Sequence, residues 1–108
     1  MNVERITTGG RKLTITKDHK ELARIYLYFI QNDLHDKPYA LMEDLFVQEE
    51  FRGQGYGKKM VQAALEEAKK ERCYKVICTS RYGREHVHKM YQDLGFKDYG
   101  KEFRIDIG

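Results

Sequence analysis

A run of closely spaced glycines in mid-chain is the feature that most restricts how this sequence can fold. Gly53, Gly55 and Gly57 alternate within the segment EEFRGQGYGKKM, between an apolar stretch and a helical pattern. Each glycine in a helix interior costs roughly 1 kcal/mol relative to alanine, so their clustering indicates a backbone that must approach another group closely. The unpaired N–H groups and positive dipole end of a helix N-terminus suit a phosphate or pyrophosphate.

Two better-known phosphate loops do not fit this segment. A Walker loop requires Ser or Thr after its Gly-Lys pair, whereas Lys59 follows Gly57 and Lys58 here. In the dinucleotide fingerprint the third glycine would stand one residue later than Gly57 does. A plain flexible turn before an ordinary helix remains the alternative interpretation of the loop.

Before the loop, the pattern predicts an antiparallel meander. Residues 3–8 and 13–16 alternate as strands do, and Gly9-Gly10 between them is a hairpin-type turn signal. Polar residues 17–20 are predicted to turn the chain again. Residues 39–47, YALMEDLFV, are predicted to form a largely buried strand that runs into the loop.

Residues 21–31, ELARIYLYFIQ, fit two structures. One helical face would be shared by Leu22, Ile25, Tyr26, Phe29 and Ile30. Alternation of Ile25, Leu27 and Phe29 fits one face of a strand equally well. The content of Tyr, Ile and Phe favours the strand, although periodicity alone does not decide.

After the loop, residues 55–72 are predicted to form a helix with an apolar stripe. Residues 75–80, KVICTS, are predicted to be a central strand, and residues 84–94 a second helix with Gly95 as its left-handed cap. Residues 103–107 are predicted to be a final strand. The order gives an α/β or α+β sheet with two helices.

The length of 108 residues fits one domain, residues 1–108. No apolar stretch reaches the roughly 18–20 residues that span a bilayer, and the N-terminus lacks a signal-peptide core, so we expect a cytoplasmic protein that binds no membrane. The net charge of +3 is interleaved, without a basic block, and predicts no nucleic acid partner. Cys73 and Cys78 form no disulfide framework or metal-ligand pattern.

Four signals in order resemble the GNAT superfamily of N-acetyltransferases. RGQGYG matches that family's Arg/Gln-x-x-Gly-x-Gly/Ala motif through Arg52, Gly55 and Gly57. YALMEDLFV and KVICTS are similar to the strands on either side of it, and YQDLGF is similar to a Tyr-x-x-x-Gly-Phe segment. The resemblance covers residues 20–108 and implies that residues 22–31 are strand. It implies a GNAT-like fold with a mixed, mostly antiparallel sheet and two main helices.

The resemblance implies acetyl-CoA as co-substrate, with no metal. A bulge in the strand at residues 39–47 should splay it from its neighbour, so that pantetheine fills the gap. Ser80 stands where many relatives have an asparagine that contacts the cofactor, and its hydroxyl can serve in place of the amide. The implied cofactor contacts are Leu45, Phe46, Val47, Arg52, Gly53, Gln54, Gly55, Tyr56, Gly57, Lys58 and Ser80.

Direct attack of an amine on a thioester needs a base, a polarised carbonyl and an acid for the thiolate. We assign the base to Glu43 and the acid to Tyr91, which matches the tyrosine near the coenzyme sulfur in relatives. A backbone N–H of Leu45 or Phe46 would stabilise the oxyanion. Alternatively, Glu43 is a structural or substrate-binding carboxylate and Tyr91 a core residue. Asp44 is expected on the opposite face from Glu43.

The segment before residue 20 has no room for the two helices that follow the first strand in relatives. The acceptor site is therefore either open to a bulky or protein amine, or completed by a second subunit in a homodimer. The sequence predicts an N-acetyltransferase for a small-molecule or protein amine. The alternatives are a coenzyme A-binding regulatory module without catalysis, and a basic interaction domain.

Overall fold

The computed structural model describes residues 1–108, and its contacts divide the chain into two units, residues 1–78 and 79–108. The first unit holds a sheet and a long helix, and the second holds a short helix. In chain order the elements are β1 (Gly9–Lys17), β2 (Lys20–Ile30), β3 (Tyr39–Val47), α1 (Tyr56–Lys70), β4 (Val76–Ile77) and α2 (Glu85–Asp93).

The four strands form one mixed sheet in the order β1-β2-β3-β4. The β1–β2 and β2–β3 pairs are antiparallel, and β4 runs parallel to β3. The parallel pair is joined through α1, as a crossover connection requires. The predicted mixed, mostly antiparallel sheet with two helices is confirmed, and residues 21–31 are strand rather than helix.

The first hairpin turn lies within residues 17–20, where a turn was predicted, and nine residues after Gly9-Gly10. Asp18 and His19 join β1 to β2 with φ of 52° and 65°, the pattern of a type I′ turn whose twist matches the flanking strands. The predicted turn at Gly9-Gly10 is wrong, because these residues pair with Phe29 and Tyr28 inside the sheet. A Cβ on Gly10 would stand 3.0 Å from the Tyr28 ring, so this glycine permits close packing.

Two predicted strands at the chain ends are wrong for the single chain. Residues 3–8 lie before β1 and belong to no strand, and residues 103–107 pair with no strand. The predicted central strand at residues 75–80 is reduced to Val76–Ile77 and lies at the edge of the sheet.

The core of the first unit lies where α1 covers one face of the sheet. Ile25, Leu27 and Val61 are fully buried, and each contributes about 1.5–3 kcal/mol through burial of its side chain. The predicted α1 stripe is confirmed at Met60, Val61, Ala64 and Ala68. Neither helix of the structure has the length and apolar character that crossing a bilayer requires.

The second unit is organised by α2 and its C-terminal cap. Gly95 has a φ of 100°, and its N–H donates to the Gln92 carbonyl while the Phe96 N–H donates to the Tyr91 carbonyl. This pair of bonds is a Schellman motif. The predicted left-handed cap at Gly95 is confirmed, and it fixes the backbone next to Tyr91.

Candidate functional site

The glycine loop connects the end of β3 to the start of α1, as the sequence predicted. Its first anchor is Gln48, whose backbone N–H donates to the Leu22 carbonyl at 2.9 Å and whose side chain donates to the Glu21 carbonyl at 3.2 Å. A single 3-10 turn, Glu49–Phe51, follows. The loop therefore leaves the sheet from a fixed point on β2.

Two glycines of the loop have a backbone conformation that other residues rarely adopt. Gly53 has a φ of 77° and Gly55 a φ of 86°. A Cβ built on either glycine would meet no atom within 4 Å. Glycine is therefore required here by conformation rather than by crowding, and the space beside the backbone is open to a ligand.

The N-terminus of α1 carries no negative group of its own. Gly55 is the N-cap and provides no side-chain hydrogen bond, and the first turn has no acidic residue. Lys58 and Lys59 place two positive charges in that first turn, beside the positive end of the helix dipole. Positive charges at a helix N-terminus destabilise the helix, whereas negative charges there stabilise it. A bound anion would therefore offset the effect of the two lysines.

Arg52 places a positive charge at the start of the loop, and two contacts fix the position of its side chain. Its Nε donates to the Val47 carbonyl at 2.9 Å, and its guanidinium lies 5.4 Å from the centre of the Phe46 ring. The guanidinium of Arg24 lies 4.9 Å from the same ring. Phe46 thus brings two positive charges, one from β2 and one from the loop, to the end of β3.

The strand before the loop is bulged, as the family resemblance implied. Tyr26 pairs with Glu43 and Arg24 pairs with Phe46, so that Asp44 and Leu45 stand against Ile25 alone. Asp44 has a φ of 54°, and such a two-against-one arrangement bends the bulged strand. The simple alternation that set Asp44 opposite Glu43 does not hold through a bulge.

The other edge of β3 is paired over only two residues. Ala40 pairs with Val76 and Leu41 pairs with Ile77, and residues 42–47 have no partner in β4. An unpaired strand edge presents N–H and C=O groups that a ligand with amide groups can use. The predicted contacts Leu45, Phe46 and Val47 all lie on this edge.

Glu43 lies on the face of the sheet that α1 does not cover. It is half-buried, while Asp44 is exposed. Its cross-strand partner Tyr26 stacks on Tyr28 with ring centres 6.4 Å apart. Glu43 therefore sits beside an aromatic surface, one residue before the bulge.

The predicted residues of the second unit lie on and before α2. Tyr91 is half-buried, and its ring lies 5.4 Å from that of Phe96. The Ser80 hydroxyl is within 3.0 Å of His88 Nε2. The sequence did not indicate this bond, because eight residues separate the two side chains and neither lies in a periodic pattern.

The structure thus brings most of the predicted site together within one unit. Glu43, the β3 edge and the glycine loop through Lys58 follow one another along residues 43–58. Tyr91 and Ser80 belong to the second unit. A concave surface against Gly10, Arg11 and Glu71 lies elsewhere and includes no predicted site residue.

Comparison with known proteins decides the family. The model of the acetyltransferase (GNAT) family matches residues 6–96, which include β1 to β4, the glycine loop and α2. The chain belongs to the GNAT acetyltransferase family. Its sheet, with the bulge in β3 and the loop before α1, is the GNAT acyl-CoA N-acyltransferase fold. Members of the GNAT acetyltransferase family use acetyl-CoA as co-substrate.

A curated relative is the glucosamine 6-phosphate N-acetyltransferase of Trypanosoma brucei brucei. It is 33% identical to this GNAT chain over 66 residues, which are 61% of this chain and 43% of that protein. The chain therefore matches less than half the length of this relative.

Solved structures show the same fold. A putative acetyltransferase from Agrobacterium tumefaciens str. C58 is 31% identical, with a TM-score of 0.84 over 92% of this chain and 69% of that one. An acetyltransferase from Trypanosoma brucei is 24% identical, with a TM-score of 0.85 over 92% and 70% of the two chains. The second likeness concerns the GNAT fold alone.

Proposed function

We propose that this chain transfers the acetyl group of acetyl-CoA to a primary amine. The observation that carries the proposal is the start of α1, which has two positive-φ glycines before it, an N-cap without a side-chain hydrogen bond and no acidic residue in its first turn. These features suit an anion. The unpaired β3 edge at residues 42–47 leads directly to the start of α1. A pyrophosphate would match the start of α1, and an attached chain with amide groups would match the unpaired β3 edge.

The contacts follow from the order of the elements. Backbone N–H groups of residues 53–58, with the charges of Arg52 and Lys58, would bind the pyrophosphate. Backbone groups of Leu45, Phe46 and Val47 would pair with the pantetheine amides. The donors of the loop need no side chain, which is why glycines fit there.

The reaction is direct attack. The amine nitrogen bonds to the acetyl carbon as the carbon–sulfur bond breaks, and the thiolate takes a proton as it leaves. Glu43 accepts the amine proton and Tyr91 donates the proton to sulfur. The N–H of Leu45 or Phe46, next to the bulge, stabilises the oxyanion.

Glucosamine 6-phosphate is the first acceptor to test, because a relative of this chain is named glucosamine 6-phosphate N-acetyltransferase. The open sheet surface beside Glu43 is lined by Tyr26 and Tyr28, whose stacked rings offer flat apolar contact to a sugar face. A protein amine remains the other acceptor class.

Four further predictions accompany the proposed function. They are a cytoplasmic location, a homodimer, and the absence of nucleic acid and membrane partners. The two half-buried cysteine thiols fit a reducing compartment, and the interleaved charge of +3 fits a protein without a polyanionic partner.

The test is amine-dependent release of the coenzyme A thiol from acetyl-CoA. Glucosamine 6-phosphate, glucosamine and a lysine-containing peptide are compared at equal concentration. Faster thiol release with one of these amines supports acetyl transfer and names its class. Binding of acetyl-CoA without thiol release in any reaction would assign the chain to non-catalytic coenzyme A binding instead.

A further inference from the structure

A hydrogen bond within the second unit connects the segment after β4 to α2. The Ser80 hydroxyl lies 3.0 Å from His88 Nε2, which is within the normal range for hydrogen bonds between nitrogen and oxygen atoms. Ser80 is exposed, whereas His88 is half-buried. The hydroxyl is therefore accessible to a ligand, while the imidazole ring that it contacts is partly enclosed.

The two partners differ in how firmly the backbone holds them. His88 belongs to α2, and its backbone N–H donates to the Arg84 carbonyl at 3.1 Å. Residues 78–81 belong to no helix or strand, so regular secondary structure does not fix Ser80. A serine side chain has three staggered rotamers, and the hydrogen bond to His88 selects one of them.

The same bond sets the direction in which the Ser80 hydroxyl donates. A hydroxyl has one proton to donate and two lone pairs that accept. If His88 Nε2 is unprotonated, it accepts the Ser80 proton and leaves the oxygen to accept from a ligand N–H. If Nε2 carries a proton, it donates to Ser80 Oγ, and the hydroxyl donates to a ligand carbonyl. In either tautomer, His88 determines what the hydroxyl offers to a ligand.

His88 also lies beside Tyr91, the proposed acid, on α2. Positions three residues apart are neighbours on one helical face, and both side chains are half-buried. His86 is two positions from His88, which places it on another face, and it is exposed. The face of α2 that carries the proposed acid therefore also carries the partner of a predicted cofactor contact.

We propose that His88 is a positioning residue, which holds the Ser80 hydroxyl in the orientation that contacts coenzyme A. This role rests on the proposed function and on the predicted contact of Ser80 with the cofactor. His88 acts through Ser80 and takes no part in the proton transfers assigned to Glu43 and Tyr91. Its loss should weaken coenzyme binding without slowing the chemical step.

A double-mutant cycle, measured by calorimetric titration with coenzyme A, tests whether His88 acts through Ser80. His88→Phe should bind coenzyme A about fivefold more weakly than the wild type, the effect of one hydrogen bond. Ser80→Ala should lose at least as much, and adding His88→Phe to it should have no further effect. His88→Gln should restore binding, because its amide can replace the imidazole as hydrogen-bond partner.

Two controls accompany the cycle. His86→Phe makes the same change on another face of α2 and should keep the wild-type affinity. Melting temperatures show which variants are folded, and His88→Ala replaces His88→Phe if the larger ring prevents folding.

Thiol release from acetyl-CoA distinguishes positioning of Ser80 from a disturbance of Tyr91. His88→Phe should raise the KM for acetyl-CoA and leave kcat unchanged. A lower kcat with an unchanged KM would overturn the proposal, because it would show that the substitution acts on the proposed acid.

The affinities separate failure of this role from failure of the proposed function. Equal affinity of the wild type and a folded His88→Phe would overturn the role of His88. So would equal losses from His88→Phe with and without Ser80, or an unchanged affinity in Ser80→Ala. These results would leave coenzyme binding by the wild type intact. A wild type that binds no coenzyme A would overturn the proposed function, and the role of His88 with it.

Discussion

Tyr26 lies directly opposite Glu43 in the β2–β3 ladder, and theirs is the last regular pair before the bulge at Asp44. The pair fixes Glu43 on the sheet surface that α1 leaves open. The next two residues of β3 break from the ladder, so the backbone that follows Glu43 is available to a ligand. A carboxylate and open N–H groups therefore occupy adjacent positions on one strand.

We expect Glu43→Gln to lower the rate of acetyl transfer by about 10²-fold or more, because a positioned general base contributes about 10²–10⁴-fold. The amide keeps the size of the side chain but accepts no proton. Binding of acetyl-CoA should be unchanged. Rates and affinities are measured by thiol release and calorimetry.

Asp44→Asn is the control for Glu43→Gln. It removes the same charge one residue away, and asparagine tolerates the φ of 54° at this position. Its rate should stay near that of the wild type. Equal losses in the two variants would show that charge near the bulge, rather than a base at Glu43, supports the reaction.

We expect Tyr91→Phe to lower the turnover number by about 10²-fold while the affinity for acetyl-CoA stays constant, because the phenol would protonate the leaving thiolate. The ring contact with Phe96 survives in this variant, so folding should not change. Tyr99→Phe, at a residue that is 96% exposed, is the control. Unchanged turnover in Tyr91→Phe would restrict the tyrosine to a packing role.

The ion pair between Lys12 and Glu21 predicts a pH dependence of stability. The side-chain hydrogen bond with Lys12 lowers the pKa of Glu21, and the same bond raises the pKa of Lys12. The contribution of Glu21 is present above its ordinary pKa of 4.5 and is lost as the pH falls through its lowered pKa. The contribution of Lys12 is present below 10.5 and is lost as the pH rises through its raised pKa.

The melting temperature of Lys12→Met should therefore fall less steeply on acidification than that of the wild type. The difference in melting temperature between the wild type and Lys12→Met should be largest near neutral pH. It should decrease at both acid and alkaline pH. Lys69→Met removes a more exposed pair with Glu66 and should keep the wild-type slope. Parallel curves for Lys12→Met and the wild type would contradict this account.

The elements around the site could be predicted because their local signals agree with their packing. β3 was predicted to its exact bounds, and α1 to within two residues, since the apolar stripe and the flanking glycines indicate the same limits. The left-handed cap at Gly95 followed from a helix pattern that ends in glycine. The strand at residues 21–31 needed the family resemblance, because its periodicity fits a helix as well.

Other features depend on contacts that no local pattern encodes. Gly10 has the composition of a turn but serves close packing on Tyr28, while the true turn uses Asp18 and His19, which are not the usual Asn-Gly pair. The alternation at residues 103–107 is genuine, but a strand also needs a partner, and the single chain provides none. The hydrogen bond between Ser80 and His88 likewise depends on a contact that no local sequence pattern encodes.

The central claim is that the start of α1 binds the pyrophosphate of acetyl-CoA, and calorimetric titration of the wild type and Gly57→Glu tests it most directly. Gly57 is the second residue of α1, where glutamate favours both helix propensity and the helix dipole. The variant should therefore melt at or above the wild-type temperature, and yet its carboxylate would occupy the anion site. Gly100→Glu, outside every element, is the matched control.

We predict that the wild type and Gly100→Glu bind acetyl-CoA and coenzyme A alike, and that Gly57→Glu binds both at least about tenfold more weakly, a loss of about 1.4 kcal/mol or more. Equal affinity in a folded Gly57→Glu, or no binding by the wild type, would contradict the account and leave the glycine loop as a structural turn.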